Sequence, residues 1–221
     1  MHESRIAVGP PAGIVAFLPI LLAGVIHLGA VLVGQHAVVE WTKPLLMPAL
    51  AVGLIWGAPQ RRSPVIVLGV LASALSWLGD ITLRWFIVGL AFFLLAHIAY
   101  LVLFVTRIAV RRLNRWALAY AAWLAVLLVL LVPHTGSLLV PVIAYGVVLS
   151  AMAAVASRCN PAVAWGGALF VISDSILAID RFLPAADISV ADFLIMVTYL
   201  AAQALIVWGL LRHERARLTR A

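Results

Sequence analysis

Between Ala117 and Val132 the chain reads ALAYAAWLAVLLVLLV, an uncharged run with no alternation of apolar and polar residues. Strands of a membrane barrel would alternate, and a helix on a soluble surface would carry a polar face. What remains is a helix surrounded by apolar material on all sides. Similar runs recur along the whole chain, broken by proline, glycine and short charged loops. Of its 221 residues, 66% are hydrophobic and 10% charged, against roughly half and a quarter in soluble domains. The sequence therefore predicts an all-α integral membrane protein, one polytopic domain forming a bundle of about eight transmembrane helices. The predicted spans are roughly 12–33, 42–57, 64–83, 86–106, 115–133, 138–156, 162–180 and 190–211. The second is short and carries Pro44 and Pro48, which predicts a bent or shallow helix. The first is long for a signal-peptide core and has only Arg5 ahead of it, so it reads as a retained helix.

Basic residues set the orientation. With both termini cytoplasmic, the inner side holds Arg5, Arg61, Arg62, Arg107, Arg111, Arg112, Arg115, Arg158, Arg212, Arg215, Arg217 and Arg220. The outer side keeps Lys43, Arg84 and Arg181, and this excess inside is the expected bias. The net charge of +7 is thereby explained by topology, and no interleaved aromatic and basic surface suggests a nucleic-acid partner. Asp180, Arg181 and Asp187 read as a solvated outer loop, and the arginine-rich tail from Arg212 as cytoplasmic and lipid-facing. Trp56, Trp77, Trp85, Trp165 and Trp208 lie near span ends, as interfacial anchors do. The lone Cys159 has no intramolecular partner for a disulfide.

Two carboxylates stand out against this background. Asp80 ends SALSWLGD in the third span, and Asp174 lies just beyond the middle of the seventh, in ALFVISDSIL. An ionisable group at membrane depth costs at least a few kcal/mol and marks a functional hypothesis by default. Asp80 has a plainer alternative, ending its span or pairing with Arg84. Ser73, Ser76 and Asp80 share one helix face, as do Asp192, Met196, Tyr199 and Gln203. His97 and Tyr100 are one turn apart, while His27, Tyr145 and Tyr199 fall in the outer half. These stripes predict a polar cavity open toward the outer leaflet. GDITL at 79–83 and SDSIL at 173–177 form a faint internal echo, each followed by a tyrosine in the next span.

KPLLMP at 43–48, SWLGD at 76–80, GLAFFLLAHIAYLVLF at 89–104, GALFVISDSILAIDRF at 167–182 and TYLAAQALIVWGL at 198–210 together resemble the YhhN family, bacterial relatives of animal lysoplasmalogenases. The resemblance implies an eight-helix integral membrane enzyme; a bacterial inner membrane is the expected location, and no cofactor or metal is expected. Its expected substrate is a lysophospholipid, the lysoplasmalogen, whose vinyl ether is hydrolysed to a fatty aldehyde and a glycerophospho-alcohol. The residues marked by the resemblance are Lys43, Asp80, His97, Tyr100, Ser173, Asp174, Tyr199 and Gln203. Some relatives carry Asn at the position of Asp174, which makes Asp80 the more essential carboxylate, and Gln203 stands where relatives can carry His.

Vinyl ether hydrolysis requires an acid protonated near neutral pH and a negative group that stabilises an oxocarbenium ion and activates water. Paired carboxyls perform these roles in glycosidases. Asp80 and Asp174 are therefore the expected catalytic pair, with Asp80 favoured as the acid and the reverse left open. His97 is expected to shuttle protons. Tyr100, Tyr145, Ser173, Tyr199 and Gln203 are the expected substrate-binding groups, and Lys43 is placed to hold the phosphate. Two rivals stay open. A metal-dependent lipid hydrolase resembling alkaline ceramidases would take zinc from His27, His97, Asp80 and Asp174. A proton-coupled transporter or scramblase would use broken helices, for which the Gly166–Gly167 doublet is the candidate.

Overall fold

A computed structural model of the chain describes residues 14–113, 115–186 and 188–220; Arg5, Asp187 and the first two positions of the first predicted span lie outside these. Eight α-helices carry the described residues: α1 (Leu18–Leu32), α2 (His36–Gly57), α3 (Pro64–Thr82), α4 (Phe86–Leu103), α5 (Leu118–Thr135), α6 (Leu139–Ala156), α7 (Pro161–Phe182) and α8 (Ala191–Leu218). No strand occurs among the described residues. Seven helical segments are long and apolar enough to cross a membrane, one of them being the stretch Arg115–Ala156 that holds both α5 and α6. At its middle Gly136 adopts φ 52, a conformation L side chains rarely take. The chain folds back there, for Leu124 of α5 presses on Gly146 of α6.

Helix starts follow local chemistry. The hydroxyl of Ser63 accepts the Val65 N–H at 3.2 Å ahead of α3, with Pro64 in the first turn. Asn160 does the same for α7, accepting from Val163 N–H at 3.3 Å. Its amide also donates to the Gly209 carbonyl at 2.9 Å, tying the start of α7 to α8. These two helices pack closely because Gly166 faces the Ala202 carbonyl, only 2.8 Å from where a Cβ would stand.

The structure corrects three expectations. The second span is not short: α2 covers 22 residues and keeps Pro44 and Pro48 inside it. Pro48 lacks the N–H that the Pro44 carbonyl would normally accept, and Trp77 Nε1–H of α3 fills that gap at 2.9 Å. Trp77, read as an interfacial anchor, is thus also a staple between α2 and α3. The tail is a continuation of α8, with Arg215 donating to the Gly57 carbonyl and Arg217 to Gln60 Oε1, each at 3.2 Å. Glu214 beside them is fully buried, 3.6 Å from Arg217, so this end of α8 packs on α2 instead of simply facing lipid. Finally, Gly166 and Gly167 lie within an unbroken α7.

Candidate active site

Polar residues meet between α3, α4, α6, α7 and α8. Asp80 of α3 is buried, and its Oδ2 accepts the phenol hydrogen of Tyr199 of α8 at 2.9 Å. Asp174 of α7 accepts a hydrogen bond from Tyr145 of α6 in a short contact. The two carboxylates are within electrostatic reach of each other. His97 of α4 is fully buried with Nε2 3.9 Å from Asp174 Oδ2. Its ring meets Phe170 edge-on at 4.6 Å and Tyr145 at 5.3 Å. Phe170 also meets Tyr199 at 5.5 Å, so one aromatic side chain contacts groups on both the Asp80 and Asp174 sides. Arg84 lies over the Trp85 ring at 3.9 Å, while the carboxylate of Asp80 is taken by Tyr199.

The remaining candidates fall into two sets. One turn along from the Asp80–Tyr199 contact runs a buried relay: Tyr100 donates to Gln203 Oε1 at 2.6 Å, and Gln203 Nε2 donates to Ser76 Oγ at 3.0 Å. These bonds fix the Gln203 amide and lock α3, α4 and α8 together. Ser173 likewise donates to the Ile195 carbonyl at 3.0 Å, joining α7 to α8. In this structure Tyr100, Gln203 and Ser173 are thus engaged with protein groups other than the carboxylates. Lys43, at the proline-interrupted start of α2, is within electrostatic reach of Asp80.

Sequence order misleads about pairing. The echo places Tyr100 after Asp80 and Tyr199 after Asp174, yet Asp80 is bonded by Tyr199 and Asp174 by Tyr145. Two polar residues at this region escaped the sequence reading altogether. Thr42 Oγ1 lies 2.8 Å from His27 Nδ1, and Ser175 Oγ accepts from Trp123 Nε1 at 2.9 Å. Ser175 had a signal, since serines flank Asp174 on both sides.

Two cavities lie in this part of the bundle, and Asp174 lines the first of them. One is almost wholly apolar, lined by Phe86, Phe93, Leu124, Leu128, Tyr145 and Asp174 among others. Asp174 keeps 10% of its side chain exposed. The other cavity holds His27, His36, Lys43 and Asp192. Leu83 and Leu177 line both. The arrangement thus offers two carboxylates held by phenols, an apolar chamber beside Asp174 and a polar cavity holding Lys43 nearby. Among the described residues no three His, Cys, Asp or Glu side chains converge as a metal site, so the zinc set His27, His97, Asp80 and Asp174 does not assemble.

A model of the family described as the YhhN family matches residues 39–210. Lysoplasmalogenase TMEM86B of Homo sapiens is 34% identical over 183 residues, covering 75% of this chain and 73% of the relative. The Mus musculus protein of the same name is 33% identical over 79% of this chain and 77% of its own, and the Rattus norvegicus one 34% over 78% and 75%. No solved structure matches the chain.

Proposed function

The chain belongs to the YhhN family, and from that premise we propose that it hydrolyses the vinyl ether of lysoplasmalogens inside the membrane. The products are a fatty aldehyde and a glycerophospho-alcohol. The observation that carries this reading is the position of Asp174, a carboxyl on the wall of an apolar cavity with a second buried carboxylate within electrostatic reach. The alkenyl chain occupies the apolar cavity, and Lys43 meets the phosphate in the neighbouring one.

In this scheme Asp174 is the acid and Asp80 the carboxylate, the reverse of the favoured sequence-based assignment. Asp174 faces the chamber that suits the alkene, whereas Asp80 lies on the side of Lys43. Asp174 gives its proton to the β-carbon, whose π pair forms the new C–H bond. The α-carbon and ether oxygen then share the positive charge of an oxocarbenium ion, which the Asp80 carboxylate stabilises. Water adds to the α-carbon and passes a proton to a carboxylate. The resulting hemiacetal collapses: its hydroxyl loses a proton, the bond to the glycerol oxygen breaks, and that oxygen leaves protonated. One water is consumed and no redox change occurs. Tyr145 and Tyr199 hold the two carboxylates in register, and His97 returns the proton to Asp174. Tyr100, Gln203 and Ser173 act as positioning residues through the helices they join.

We also place α5 and α6 as separate passes, giving eight in a bacterial inner membrane with both termini cytoplasmic. The catalytic reading is tested by mass spectrometry of products from purified protein and lysoplasmalogen in detergent. Fatty aldehyde from the wild type, with a loss of about a hundredfold or more in folded Asp80→Asn and Asp174→Asn variants, is expected for general acid and electrostatic roles. Undiminished release from both variants sinks the scheme.

A further inference from the structure

His27 is the buried histidine that this chemistry leaves unused. Its ring is fully buried, and His27 borders the cavity that also holds Lys43, His36 and Asp192. The hydrogen-bond network assigns its tautomer. The Thr42 hydroxyl has one hydrogen, which it donates along α2 to the Val38 carbonyl at 2.7 Å. Toward His27 Nδ1, 2.8 Å away, Thr42 therefore acts as acceptor, and Nδ1 carries the imidazole hydrogen. Nε2 is left as a lone-pair acceptor, buried and without a hydrogen-bond partner in the protein. Buried acceptors are rarely left unmet, because burial removes the water that would otherwise serve them. An unmet acceptor on a residue that borders a cavity points to a donor on the ligand.

We propose that His27 Nε2 accepts a hydrogen bond from the free hydroxyl on the middle glycerol carbon, making His27 the residue that distinguishes a lysolipid from a lipid acylated at that carbon. The identity of the hydroxyl rests on the lysoplasmalogen reading above. In such a lipid the middle carbon stands between the vinyl ether oxygen and the phosphate. The structure has the same order, with the apolar chamber and Asp174 on one side, the Leu83–Leu177 seam between, and Lys43 with His27 beyond it. Acylation removes the hydroxyl hydrogen and leaves only ester oxygens. An ester would then set acceptor against acceptor at Nε2, with nothing to satisfy either. Discrimination of this kind, through a polar group left unpaired, is stronger than what shape alone supplies.

The test uses binding and does not depend on turnover. The probes are a saturated hexadecyl ether lysolipid with a phosphoethanolamine head, which has no vinyl ether to cleave, and the same lipid lacking the middle hydroxyl. The wild type is expected to bind the second about tenfold more weakly, the worth of one good hydrogen bond. His27→Gln keeps an acceptor near the place of Nε2 and retains that preference. His27→Leu binds both probes alike, at the weaker level. A wild type indifferent to the hydroxyl, or a His27→Leu protein that still prefers it, overturns the assignment. If His27→Leu does not fold, Thr42→Val decides: without its Nδ1 partner the imidazole hydrogen is free to move to Nε2. The preference should then shrink at least to about threefold, and an unchanged preference overturns the proposal. Should the wild type discriminate between the probes yet release no aldehyde from lysoplasmalogen, the hydrolytic reading fails and the role of His27 stands.

Discussion

Asp174 depends on a phenol 29 residues before it in the chain, and Asp80 on one 119 residues after it. Each tyrosine satisfies an oxygen that lipid cannot, so removing the phenol leaves a buried carboxyl group short of a partner, at about 1–3 kcal/mol. Tyr145→Phe is therefore expected to slow aldehyde release about tenfold to a hundredfold while leaving KM nearly unchanged, because the substitution removes the hydroxyl that holds the acid and keeps the ring that lines the chain's cavity. The effect should vanish in an Asp174→Asn background: once the acid is gone, losing its support costs little more. Rates for the wild type, the two single variants and the double variant check this, and simple multiplication of the two losses refutes it. Both carboxylates were legible from sequence because charge at membrane depth is costly and stands out. Their partners were not, since Tyr145 and Tyr199 read more readily as packing or belt residues, and the Asp80–Tyr199 pair joins α3 to α8, far apart along the chain.

The link between α2 and α3 rests on a missing hydrogen bond. Pro48 leaves the Pro44 carbonyl free, and Trp77 meets it from the neighbouring helix at 2.9 Å. Trp77→Phe strands that carbonyl and should lower the unfolding temperature in detergent, with a loss of about 1–3 kcal/mol. Pro48→Ala restores an N–H in the helix, so the same Trp77→Phe change should cost less in that background; an equal cost would show that the tryptophan acts by bulk alone. On α5, Leu124 and Leu128 line the apolar cavity. Leu128→Phe should shift the preferred alkenyl chain toward shorter lengths by shrinking that chamber, read as the kcat/KM profile across a chain-length series. Helix ends show where sequence reading falls short. The second span was placed to begin at residue 42, yet α2 starts at His36, and the eighth was ended at 211, yet α8 runs to Leu218. Hydropathy marks where lipid ends, whereas a helix continues as long as its backbone bonds do. Glu40, Lys43, Arg212, Arg215 and Arg217 are polar residues inside helices.

The whole molecule turns a row of apolar runs into a bundle whose outer face is apolar and whose polar groups are gathered inward. Leu22, Val25, Trp41 and Val129 are exposed, while Ser73, Ser76, His97 and Gln203 are fully buried. That inversion was implicit in the composition, since lipid as the outer solvent removes any reason for a polar surface. Passage number was harder to read, because α5 and α6 form one helical stretch interrupted by the Gly136 turn. Eight passes with both termini inside require Ser137 and Ser189 to face outward and Thr219 inward. The native thiol does not interfere with a cysteine test of this. Cys159 is fully buried in the loop between α6 and α7, and burial pushes its thiol up to about 12, with Arg158 drawing it down less. A thiol raised in this way stays protonated at pH 8, and the thiolate is the form that reacts. The wild type should accordingly remain unlabelled by an impermeant maleimide until denatured. Ser137→Cys and Ser189→Cys should label in intact cells, and Thr219→Cys only after the membrane is opened. A shielded Ser137→Cys would mean that the α5–α6 turn does not reach the outer side. Labelling of Thr219→Cys in intact cells would place the carboxyl-terminal end of α8 outside, against the positive-inside bias of Arg212, Arg215 and Arg217.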